Sequence, residues 1–184
     1  MRKYVSNQTG RSMIEMLGVL AIVGVLSVAS IAGYSKAMAK YKTNKLIDQV
    51  STIVANTKTK FVAQGNYKGL STDAAWKLGI FPEEVSKQCD ADGKWTSSCL
   101  RNAFGGSLYL NAQGDNNFYI SVLDISKDTC SSLITTDWGS SSGFVGLLNL
   151  SSEEQKNMNA VEKVTRTCSC KNNESTCAVH LVFK

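Results

Sequence analysis

The chain has 184 residues, 43% of them hydrophobic, and a net charge of +5, which is enough apolar content to bury one domain's core and too much for a disordered chain. Its positive charges are not gathered into one block, so no specific nucleic-acid partner is expected. With one histidine and no Gly-x-Ser-x-Gly, phosphate loop or paired His ligands, the usual acid–base and nucleophile constellations are missing; no enzyme activity and no cofactor are expected.

The first element is an apolar run. From Met16 to Gly33 no side chain is charged, and at about 1.5 Å per residue the run is roughly 27 Å long as a helix, close to the hydrocarbon core of a bilayer. Glu15 stands on its threshold. An ionised carboxylate near hydrocarbon costs about 2 to 3 kcal/mol and is usually there to meet a partner, which makes Glu15 the first candidate functional residue. Gly18, Gly24 and Gly33 each weaken a helix by about 1 kcal/mol relative to alanine, and Ala29-x-x-x-Gly33 is a small-xxx-small pair, so the run reads as an anchor that packs against another helix. A different class remains open: a secreted binding module whose run is only a signal, with Val28-Ala-Ser30 as a passable cleavage site.

Helical periodicity continues past the run. Tyr34, Met38, Tyr41, Ile47, Val50, Val54, Thr57 and Phe61 recur near helical spacing, which predicts one helix to about Gln64, close to 80 Å from Met13, with its second half apolar on one stripe that a head must cover. Arg2, Lys3 and Arg11 precede the run while Lys36, Lys40, Lys42 and Lys45 follow it, against a simple positive-inside rule. A solvated face with Asp48 as a nearby counter-charge is the preferred reading of these later lysines, and contact with anionic headgroups or an acidic neighbour is the alternative.

Gly65-Asn66 stops the helix, and Leu70 to Leu78 reads as a short second one capped by Ser71 or Thr72, ending before Gly79 and Pro82. Strand-like runs follow at 107–110, 117–123, 144–148 and 177–183, with Cys177, Val179, Leu181 and Phe183 on one face. Ser151-Ser-Glu-Glu154 is a capping box opening a short helix through about Glu162, and 171–175 turns a hairpin between 165–170 and the last strand. A long N-terminal helix on a small antiparallel sheet, an α+β fold, is the economical assembly.

All six cysteines, Cys89, Cys99, Cys130, Cys168, Cys170 and Cys177, follow the run, as disulfides in an oxidising compartment would, and this places the head outside. A cytosolic zinc site competes, although Cys168-x-Cys170 is tighter than the usual two-residue gap and His180 stands alone. Asp90-Ala-Asp92-Gly93 lacks the third acid and closing glutamate of a calcium loop, so a plain turn is preferred. Trp76, Trp95 and Trp138 are read as packed in or beside the core.

The stretch Gly10-Arg-Ser-Met-Ile-Glu15 followed by the apolar run resembles a type IV prepilin, which a prepilin peptidase cuts after glycine. The likeness extends along most of the chain: Asn66-Tyr-Lys-Gly-Leu-Ser71, Leu78-Gly-Ile-Phe-Pro82, Phe104-Gly-Gly106, and Phe118-Tyr-Ile120 followed by Cys130 look like the head of type IVb major pilins, the toxin-coregulated, bundle-forming and conjugative thin-pilus kind. The resemblance implies a leader at 1–10, a membrane and filament-core helix at 11–34, its amphipathic continuation at 35–64 and a disulfide-stapled head at 65–184. It also implies cleavage at Gly10, N-methylation at Arg11, and Glu15 facing the freed amino group of a neighbour. The subunit would wait in the inner membrane and then be stacked by an assembly platform and its ATPase into an extracellular homopolymeric filament, with adhesion, conjugation or aggregation as its role. A minor pilin or a type II secretion pseudopilin is the runner-up. In that family a disulfide ties the sheet to the C-terminal region, implying Cys130 with Cys168, Cys170 or Cys177; the pairing chosen is Cys89–Cys99, Cys130–Cys168 and Cys170–Cys177. Three departures stand out: Arg11 where phenylalanine or methionine is usual, a leader short for the IVb branch, and Ala32 where many pilins have proline.

Overall fold

Periodic apolar spacing on one long helix and alternating residues on four strands converge on one core. The computed structural model describes residues 13–90, 99–170 and 176–184. Gly10, Arg11, Asp92, Gly93, Trp95 and the turn at 171–175 lie outside the described residues. The chain divides into two compact units, Met1–Tyr41 and Lys42–Lys184, and the division falls inside the first helix, α1, Met13–Phe61.

In the second unit the buried residues of α1 are Leu46, Gln49, Val50, Ile53, Val54, Thr57 and Phe61, a stripe at helical spacing. Tyr34 and Tyr41, expected at the start of this stripe, are 66% and 61% exposed, and the first buried residue of the helix is Leu46. The stripe also contains a polar member that the pattern hid. Gln49 donates from Nε2 to Glu84 Oε1 (2.9 Å) and accepts at Oε1 from the Ala103 amide (3.1 Å), which satisfies a buried amide that would otherwise be costly.

Helix α2, Thr72–Lys77, has Ser71 as its N-cap, its Oγ accepting from the Ala74 amide. Two helices were not anticipated. Pro82, read as a terminator, stands just before α3, Glu83–Asp90, whose first turn carries Glu83 and Glu84, an arrangement that favours a helix start. Helix α4, Lys127–Thr135, is capped by Ser126 and buries Thr129, Cys130 and Leu133. The single helix expected over 151–162 is instead two, α5 Ser152–Asn157 and α6 Ala160–Thr167, because Asn159 forms a second capping box with Glu162 and restarts the chain. Residues 165–167, expected to be extended, are therefore the last turn of α6.

Strands β1 Leu108–Gln113, β2 Asn117–Ile125, β3 Phe144–Leu147, β4 Ser169–Cys170 and β5 Cys177–Phe183 form one antiparallel sheet in the order β1-β2-β5-β3, with the two-residue β4 also on β5. Leu110 faces Ile120, which faces Leu181, and Phe118 faces Phe183, so the register lines one face with fully buried side chains that share a cluster with the α1 stripe. Trp138 closes an end of this cluster, its ring edge-on to Phe183 and its Nε1 donating to the Leu133 carbonyl; Trp76 is half-buried against the core. Three disulfides staple the unit: Cys89–Cys99 from α3, Cys130–Cys168 from α4 to the end of α6, and Cys170–Cys177, which face each other in the β4–β5 register.

Candidate interaction surface

The first unit presents the opposite chemistry. Its helix contains a stretch of mean hydropathy 2.3, none of it buried in the molecule. Met13, Ile14, Leu17, Leu20, Ile22, Val25 and Leu26 are all exposed, and burying such side chains is worth about 1.5 to 3 kcal/mol each. This surface requires a cover. Three of its serine hydroxyls are turned inward: Ser27, Ser30 and Ser35 donate to the carbonyls of Val23, Leu26 and Ile31 one turn back, which removes those donors from a surface that suits hydrocarbon or a neighbouring helix.

Glu15 is exposed in the first described turn of α1. A Cβ built on Gly18, Gly24 or Gly33 meets nothing within 4 Å, so the chain's own packing does not require glycine there. Gly106 and Gly146 behave differently: a Cβ on Gly106 would lie 2.1 Å from the Leu123 carbonyl oxygen, and one on Gly146 would strike the Gln155 amide. At the helical repeat of 3.6 residues, Glu15, Gly18, Ala29 and Gly33 fall within about 60° of arc on α1, whereas Gly24 falls on another side. The small residues and the carboxylate thus share one face, and Gly24 is separated from the set expected to pack together.

The head answers two of the four lysines that follow. Lys45 Nζ is 2.7 Å from Glu84 Oε2, and hydrogen bonds from Lys45 and then Gln49 hold the Glu84 carboxyl below the ordinary range. Lys42 Nζ lies 5.9 Å from the centre of the Phe104 ring, a cation–π distance. The counter-charge for this segment is therefore Glu84 of α3, which sequence proximity to Asp48 did not suggest. Lys36 and Lys40 are exposed and form no ion pair among the described residues.

The sheet offers no comparable surface at its edges. On β1, Leu110 donates its amide to Thr72 Oγ1 and accepts from that hydroxyl at its carbonyl, while the Ala112 amide donates to the Leu70 carbonyl. On β3, the Gln155 side chain accepts from the Leu147 amide and donates to the Leu147 and Leu150 carbonyls. Both edges are occupied, which blocks strand addition there. His180 is held by Ser121, its Nδ1 2.7 Å from Ser121 Oγ across the β2–β5 pair, and burial lowers its pKa. Ser121 is 5% exposed, so this pair reads as a cross-strand hydrogen bond. Among the described residues no group of three or more His, Cys, Asp or Glu is placed to hold a metal ion.

An anchor-like helix end without cover, a stapled head and closed sheet edges describe a subunit made to be assembled. Residues 40–183 match the family model described as PilS N terminal, more than half of the chain. The chain belongs to the PilS N-terminal family. This family is pilin-related and linked to type IV pili, and membership makes the chain a pilin-like pilus subunit with a structural role and a tendency to oligomerise. No curated protein matches the sequence. The match begins at Lys40 and covers the head and the second half of α1, while the run before it is long and apolar enough to cross a membrane.

Proposed function

We propose that this PilS-family chain is the structural subunit of a type IVb-like pilus. A prepilin peptidase cuts after Gly10, Arg11 becomes the N-methylated mature start, and the subunit waits in the inner membrane with its head outside. An assembly platform and its ATPase then stack it into an extracellular helical homopolymer. The observation that carries this reading is that the most apolar stretch of α1 is wholly uncovered in the molecule while the other half of the same helix is built into the core. Glu15, on the face shared by Gly18, Ala29 and Gly33, then meets the freed amino group of a neighbouring protomer; in low dielectric that pair fixes register, whatever its net contribution to stability. Transfer from lipid into a bundle of like anchors exchanges one apolar environment for another, so little hydrophobic energy is lost.

Mass spectrometry of fibres sheared from cells tests it. The expected species begins at methylated Arg11 and dominates the fibres; a chain that retains its first ten residues, or that begins near Ile31, overturns the reading. A subunit found cell-bound and supporting secretion, with no fibres, identifies a pseudopilin. Glu15→Ala is expected to leave membrane insertion intact and to stop or slow polymerisation, and normal fibre yield from that variant refutes the role given to the carboxylate.

A further inference from the structure

Lys36, Lys40, Lys42 and Lys45 follow the anchor in the middle of α1, and no acidic side chain occurs between Met16 and Ile47. The head neutralises Lys45 through Glu84 and covers Lys42 with Phe104, and both lysines are half-buried. Lys36 and Lys40 belong to the other compact unit, are exposed, and are one helical turn apart, so their side chains lie along one face. We infer that Lys36 and Lys40 form a binding site for the phosphates of anionic membrane lipids, which hold the unassembled subunit at a set depth in the bilayer.

Their position along the helix supports this. The uncharged run ends at Gly33; Lys36 is about 4.5 Å and Lys40 about 10 Å beyond it along the axis. The headgroup zone is about 5 to 7 Å thick on each side of the hydrocarbon. Helical side chains tilt toward the N-terminus, here back toward the bilayer, so the flexible stem of Lys40 shortens the remaining gap while keeping its ammonium in the polar layer. Tyr34 and Tyr41 bracket the two lysines and are exposed, the amphipathic rings found at membrane–water boundaries. The site also accounts for the sign of the flank. A positive segment on the head's side of the span opposes the usual charge bias, and lipid phosphate on that side supplies the missing counter-charge.

The inference rests on the proposed reading of residues 11–34 as a membrane anchor, and the experiment separates the two. Full-length protein is reconstituted into vesicles of phosphatidylcholine alone and of phosphatidylcholine with phosphatidylglycerol, then released in detergent for native mass spectrometry of retained lipid. Two lysines at about 1 kcal/mol each predict a preference of about thirtyfold for phosphatidylglycerol over phosphatidylcholine, falling as salt is raised. Lys36→Gln with Lys40→Gln should abolish it, whereas Lys60→Gln with Lys68→Gln, two exposed head lysines, should leave it. An equal affinity for the two lipids, a preference unchanged in the Lys36/Lys40 variant, or an equal loss in the head variant overturns the site. Displacement by millimolar inorganic phosphate as effective as that by phosphatidylglycerol also overturns it, since a free-anion site would then suffice. Failure of the wild-type protein to stay with vesicles after an alkaline wash would refute the anchor itself.

Discussion

The disulfide between Cys130 and Cys168 should be the most stabilising of the three, by a margin that loop length sets. It closes 38 residues, against 10 for Cys89–Cys99 and 7 for Cys170–Cys177. On the chain-entropy account, closing those loops is worth about 3.9, 2.7 and 2.4 kcal/mol. The loop between Cys130 and Cys168 holds β3, α5 and α6, so cutting the bond releases α4 from the end of α6 and frees the segment that carries Gln155 against the β3 edge. Packing points in the same direction, because Cys130 is fully buried whereas Cys170 is only partly so.

The assay is thermal unfolding of the full chain in detergent, followed by near-ultraviolet dichroism, for the double variants Cys130→Ala/Cys168→Ala and Cys170→Ala/Cys177→Ala. For a head of this size 1 kcal/mol corresponds to about 3 to 4 °C in Tm, so the first variant should lose about 13 °C and the second about 8 °C. Local strand pairing should persist in the second variant, since the backbone register that pairs positions 169 and 170 with 178 and 177 does not need the thiols. A loss from the Cys130 variant equal to or smaller than that from the Cys170 variant refutes the loop-length reasoning.

Two other outcomes follow from the network around α3 and the approach to β1. Gly106→Ala places a methyl 2.1 Å from the Leu123 carbonyl and 2.9 Å from Asn102 Nδ2, at a bulge where Asp124 already has φ of 58°; overpacking with the loss of the Asn102–Leu123 hydrogen bond should cost about 2 to 4 kcal/mol in urea unfolding, and an unchanged midpoint would remove the close-approach argument. Glu84, whose pKa is lowered chiefly by hydrogen bonds from Lys45 and Gln49, contributes stability that is fully present above the ordinary glutamate range near 4.5 and is lost as pH falls through its lowered folded value; Glu84→Gln should flatten the Tm profile below pH 5, and a profile as steep as that of the wild type would show that the contribution lies elsewhere.

The long helix, strands β1 and β2 and the inward face of β5 were legible in the sequence because each repeats a local pattern over enough residues for period 3.6 or 2 to show. Helices α3 and α4 were not, because each is short and polar and is held in place by contacts distant in sequence: Cys89 through its disulfide, and Thr129 and Cys130 through the core. The break between α5 and α6 was carried by Asn159 and Glu162, a capping pair of the same kind as Ser151 and Glu154 but placed where a helix was already expected to end. At the interaction surface, the apolar run and Glu15 could be read directly, since a membrane-length stretch and a lone carboxylate are properties of composition. The sorting of the lysines could not, because it depends on Glu84 and Phe104, which the fold brings back to α1.

That sorting bears on how a subunit leaves the bilayer. Hydrocarbon and a bundle of like anchors are similarly apolar, so the buried area of the run does not choose between them, and the choice falls to charge and close packing. On the proposed reading, the membrane leaves Glu15 without an opposite charge while lipid phosphates answer Lys36 and Lys40; the filament answers Glu15 with a neighbour's amine and takes the lysines away from lipid. Each environment satisfies the charge that the other does not. The two contributions are of comparable size, about 2 to 3 kcal/mol for a carboxylate at the apolar border and about 2 kcal/mol for two lysines at an anionic surface. On this reading the transfer is nearly balanced in charge, so the proposed assembly ATPase has no large electrostatic difference between the two environments to work against. A subunit with the lysines neutralised should therefore be released from anionic membranes more readily than the wild type, and one with Glu15 neutralised should be retained.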